Sequence, residues 1–140
     1  MPFAAKDFHT LAIWLIQQNT NEASLRTAIS RVYYASHLLA VERLVLKGWN
    51  PTGSGQDHTG VIRRLNQGRT RHLANKLRKL YELRQHADYH IEATDTVRNQ
   101  NCQFCAQIRR ALPAEEVVNG SHWEEVQAIS QDLLHFLEQL

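Results

Sequence analysis

Apolar residues recur along most of this chain at the three- and four-residue spacing of a helix buried on one side, and no stretch shows the strict polar–apolar alternation of a half-buried strand. Phe8, Leu11, Ala12 and Leu15 form one such stripe and predict a first helix from about Ala4 to Gln18; Ile13, Trp14 and Ile16 widen it. Asn21 suits the N-cap of a long second helix that carries Leu25, Ala28, Ile29, Val32, Ala35 and Leu39 and continues to about Leu46, before Gly48. Gly48 to Gln56 holds three Gly and one Pro, which predicts a loop. A short third helix fits Asp57 to Gln67, closed by Gly68. Thr70 then suits the cap of a fourth helix carrying Leu73, Leu77, Leu80 and Ala87. A fifth is expected from about Asp95 to Leu112, ahead of Pro113. Ser121 and Glu124 have the capping-box spacing that opens a sixth, striped by Val126, Ile129, Leu133, Phe136, Leu137 and Leu140. The expectation is an all-α, up-and-down bundle of five to six helices, with residues 1–140 as a single domain.

Composition adds limits. A chain of 140 residues buries roughly two-thirds of its unfolded surface, so it needs no disulfide or metal staple. Its apolar runs are shorter than the ~18 to 20 residues of a membrane span, and Asp7 and His9 interrupt the N-terminal stretch where a secretory signal would need an apolar core. A cytoplasmic location is expected. Cys102 and Cys105 are too few for a disulfide framework and fit buried, reduced thiols on a helix face. The net charge of +2 conceals an asymmetry: Arg63 to Arg84 carries eight basic residues and one acid, whereas Ala111 to Leu140 carries six acids and no Lys or Arg.

Helix four contains the departure from pattern. Its apolar face steps from Leu73 to Leu77 to Leu80, and the next position on that face is Arg84, followed by Ala87. A guanidinium at a core position costs several kcal/mol unless it is paired, on the order expected for any buried charge, and Asp88 stands one helical turn away. The pattern admits two readings, a structural Arg84–Asp88 salt bridge or a charged group kept for a ligand or interface.

Two stretches together carry a resemblance. Ser30-Arg31-Val32-Tyr33-Tyr34-Ala35-Ser36-His37 in the second helix and Leu83-Arg84-Gln85-His86-Ala87-Asp88-Tyr89 in the fourth resemble the paired motifs of the HEPN superfamily (higher eukaryotes and prokaryotes nucleotide-binding), over about Asp7 to Gln107. The resemblance implies a helical bundle that pairs as a homodimer and, in many members, a metal-independent endoribonuclease whose signature is an Arg followed by a His after four to six residues. Arg84 and His90 have five between them. Such an enzyme needs no cofactor: a histidine moves the proton near neutral pH, and a fixed arginine stabilises charge on the phosphorus. On an ideal helix, side chains six residues apart lie about 120° from one another, so Arg84 and His90 converge only through a bend or across a two-fold axis. The resemblance implies the latter. Asp88 would orient Arg84, with Tyr34, His37, Arg31, His86 and Tyr89 in support, and the expected setting is a toxin–antitoxin or defence system acting on RNA.

A second reading stays open. Gln85 follows Arg84, Ile91 and Glu92 follow His90, and Tyr89 precedes the histidine instead of following it; the Ala-Asp-Tyr variant is common in members without the nuclease histidine. The alternative is a non-catalytic HEPN module that binds a nucleotide or partners a small nucleotidyltransferase. His86 and His90 have metal-binding spacing, but no third ligand accompanies them and no metal is expected. Arg63, Arg64, Arg69, Arg71 and Lys76 are candidate RNA contacts, with neutralisation by the acidic C-terminal stretch as the rival.

Overall fold

The computed structural model describes residues 3–19, 21–89 and 120–140, with the backbone alone at 89, 120 and 121. Within them, five α-helices pack as an all-α bundle and there is no strand: α1 (Ala5–Gln18), α2 (Glu22–Leu46), α3 (Asp57–Leu65), α4 (Arg71–Tyr89) and α5 (Gly120–Glu138). The expected helix over 95–112, with Cys102 and Cys105, lies outside the described residues.

α2 is the spine. It packs against all four other described helices, while α4 also meets α3 and α5. Three residues separate α1 from α2, so the two run antiparallel. Asn21 starts α2 as the sequence predicts: its Oδ1 accepts a bond from the Ser24 amide at 2.8 Å, satisfying one of the helix's open N–H groups. Two antiparallel seams follow, α2 on α4 and α4 on α5. Leu73, Leu77, Leu80 and Leu83 of α4 fill the space between α2 and α5, where Val126, Leu133 and Leu137 complete the core.

Three details differ from the expectations. In α1 burial centres on Ala12, with Ile13 and Ile16 packed on the core, whereas Leu11 and Trp14 face outward. A helix apolar on several sides leaves its period ambiguous. Thr70 does not cap α4. Its hydroxyl donates to the carbonyls of Leu65 (2.6 Å) and Gln67 (3.1 Å), closing the end of α3, and a 3₁₀ turn (Gly68–Thr70) runs directly into α4. A hydroxyl is donor as well as acceptor, so its capping sense is not fixed by residue type. α3 accordingly ends at Leu65, two residues early, and Gly68 takes the left-handed conformation (φ +49°) that reverses the chain. Finally, Ser121 lies within α5, which is already helical at Gly120, instead of preceding it as a cap.

The Gly-rich connection between α2 and α3 is held in place. Asp57, the first residue of α3, accepts bonds from the Thr52 amide and hydroxyl (both 2.7 Å) and the Gly53 amide (2.8 Å). These donors hold its carboxyl below the usual aspartate range.

Candidate functional site

The charge that interrupts the α4 stripe is buried at the α2–α4 seam. Arg84 is 8% exposed. Its Nε lies 2.8 Å from Asp88 Oδ2, one turn along α4, and its Nη2 donates to the Tyr34 hydroxyl of α2 at 2.7 Å. Asp88 is held in turn: Ser30 donates to the same carboxylate oxygen at 3.0 Å, and Arg31 donates to the Ser30 hydroxyl at 3.2 Å. The guanidinium carbon stands 5.1 Å from the Tyr34 ring centre and 5.8 Å from that of Tyr33, so the cation rests over two aromatic rings as well as in hydrogen bonds. Planar, always charged and held by partners on two helices, Arg84 meets its carboxylate and hydroxyl partners with a fork of donors that a lysine would not reproduce.

Around this pair is an aromatic shell. Arg31 covers both Phe8 of α1 (4.9 Å) and Tyr34 (5.0 Å), joining the first helix to the site. Below Arg84, Tyr33 is fully buried and its hydroxyl meets His58 Nδ1 of α3 at 2.6 Å. His37 stacks on Tyr33 (5.6 Å) and lies 4.6 Å from His58, and Tyr81 of α4 stacks on His58 at 5.5 Å. Burial lowers the pKa of both histidines. His37 falls to about 4, chiefly through desolvation and then through the neighbouring His58, while Arg84 also disfavours the charged form of each. Both are therefore neutral at pH 7. Tyr33 is pushed well above the ordinary phenol value by burial, so it acts only as a hydrogen-bonding phenol.

Of the residues singled out from sequence, Arg84, Asp88, Tyr34 and Arg31 come together, and His37 joins them through Tyr33. His86 does not: it is buried toward α5, 6.3 Å from His122. Its backbone carbonyl and that of Ala87 accept bonds from Arg26 of α2 at 3.2 and 2.9 Å. His90 and the Tyr89 side chain lie outside the described residues. Phe8, His58 and Tyr81 belong to the cluster without having been singled out. Their only sequence signal is residue type, because α1 and α3 reach the site through tertiary packing.

The basic stretch divides. Lys76 and Lys79 lie 3.4 and 3.7 Å from Asp132 and Glu125 of α5, so part of the acidic stretch neutralises α4 within the same chain. Arg63, Arg64, Arg69 and Arg71 are exposed, and among the described residues none forms an ion pair. Among the described residues there is also no group of three metal-ligating side chains, and no helix is long and apolar enough to cross a membrane. No family model matches this chain, and no curated protein or solved structure matches it either.

Proposed function

We propose that this chain is a metal-independent endoribonuclease of the HEPN type, working as a homodimer in which Arg84 holds the scissile phosphate and His90 moves protons. The observation that carries this reading is the two-sided fixing of Arg84 by Asp88 and Tyr34, which presets a planar cation for a phosphoryl oxygen. In the reaction, the RNA's 2′-oxygen attacks phosphorus after losing its proton to a base, and the departing 5′-oxygen takes up a proton. The products carry a 2′,3′-cyclic phosphate and a 5′-hydroxyl. Because Arg84 and a residue six places on project about 120° apart on an ideal helix, the working site draws its Arg and His together across the dimer axis. A toxin or defence role is the setting such an activity fits.

One observation favours a second reading. Arg84 is only 8% exposed and already has a carboxylate and a hydroxyl as partners, which suits a non-catalytic module that binds a nucleotide or docks a small nucleotidyltransferase. Incubating single-stranded RNA with the purified chain in EDTA separates the two. The nuclease reading expects cyclic-phosphate ends and a loss of about a hundredfold or more in His90→Ala. Intact RNA with wild type, at concentrations where sedimentation shows a dimer, overturns it and leaves the binding module.

A further inference from the structure

Two surface cavities flank α3. The first, about 390 Å³, lies between α3 and the Gly-rich connection, with Trp49, Asn50, Gln56, Arg63, Arg64 and Gln67 in its wall. The second, about 440 Å³, lies between α3 and α4, with Arg63, Asn66, Arg78, Tyr81, Glu82 and Gln85 in its wall. Thr59 and Arg63, one helical turn apart, line both and form the ridge between them. Each cavity thus pairs an aromatic side chain with carboxamides, and the cation on the shared ridge forms no ion pair among the described residues.

We infer that the exposed face of α3 is a binding track for single-stranded RNA, with one unpaired base in each cavity and the phosphate between them on Arg63 and Arg64. The choice of RNA as ligand rests on the nuclease reading above. The track itself rests on the pairing of cavities and charge. An aromatic wall stacks any base, Asn and Gln reach base edges, and arginines neutralise the backbone, which is the chemistry single strands are bound by. The carboxylates agree with this placement. Asp57, at the edge of the first cavity, is already occupied by three donors from Thr52 and Gly53. Glu82 in the second would repel a phosphate but accepts a base amino group. A duplex cannot enter, because its bases are paired and stacked inside. The second cavity also reaches the candidate site: Tyr81 lies 5.6 Å from Tyr33, whose ring carries Arg84 on the same cluster.

The test uses the full chain with a 2′-O-methyl RNA hexamer, which cannot be cleaved, and reads binding by anisotropy over a range of salt. Arg63→Gln/Arg64→Gln, both exposed, should keep the helical content of wild type while the slope of log affinity against log salt falls by about 0.7, the share of the one phosphate they hold. Trp49→Ala should weaken binding about 5- to 100-fold, with Trp49→Phe intermediate, as expected for loss of one base stack. The same hexamer in a duplex should bind far more weakly. An unchanged salt slope in the double variant, equal binding of duplex and single strand, or no binding by wild type overturns the track. Binding lost in these variants while wild type cleaves no RNA keeps the track and overturns the nuclease reading instead.

Discussion

Replacing His37 by phenylalanine should make the protein more stable in mild acid while changing it little at neutral pH. His37 is 7% exposed, stacked on Tyr33 and tilted against His58, and its Nδ1 has no hydrogen-bond partner among the described residues. Its pKa is lowered to about 4, mainly by burial, with His58 and Arg84 acting in the same direction and Asp57 against them. In the unfolded chain the same imidazole titrates near 6.5. Between these values the unfolded state holds a proton that the folded state lacks, so stability falls as pH drops through this window. The full gap corresponds to roughly 3 kcal/mol, of which about 2 kcal/mol is lost by pH 5. A phenylalanine keeps the flat ring, removes an unsatisfied polar nitrogen and cannot be protonated. Urea unfolding at pH 7.5 and pH 5, followed by circular dichroism, should show wild type losing about 2 kcal/mol more than His37→Phe. Equal losses would refute the reasoning, since the acid sensitivity would then come from His9, His58 and His122, whose pKa values burial also lowers.

Three further outcomes follow from named contacts. Asp88→Ala leaves the buried Arg84 without its carboxylate and should cost about 2 kcal/mol, less than the usual loss for a fully buried pair because Asp88 retains a quarter of its exposure; thermal melting with Arg84→Met/Asp88→Ala, expected nearer wild type, is the check. Asn21→Ala removes the N-cap of α2 and should cost about 1 kcal/mol in chemical denaturation, while Asn21→Ser should restore most of it. Asp57→Ala frees the Thr52 and Gly53 amides, and native-state hydrogen exchange at those two positions should accelerate with no change at α5.

The parts of this architecture that depend on local spacing are legible in the sequence. Asn21 as a cap and the Arg84–Asp88 pair are interactions across three and four residues, which helix geometry alone brings together. The limits of α2 follow for the same reason. What depends on how helices dock is not legible. His58 stands 21 residues from His37, and nothing in either segment signals that α3 folds back to place the two rings 4.6 Å apart. The basic run illustrates the same limit: Lys76 and Lys79 face acids of α5, Arg63 and Arg64 face solvent, and only the packing of α4 against α5 separates the pairs. In α1, too many apolar residues allowed more than one stripe, and contact with α2 selected the one through Ala12.

The polar contacts of Arg84 also measure alignment. Leucines and alanines on α2 and α4 would tolerate these antiparallel helices sliding past one another by a turn, about 5.4 Å, since one apolar ridge fits much like the next. Tyr34 on Arg84, Ser30 on Asp88 and Arg26 on the His86 and Ala87 carbonyls would not survive that slip, for all three would be broken at once. The buried charge therefore serves as a vernier between two otherwise greasy surfaces, since its contacts and those beside it are made in this register and lost one turn away.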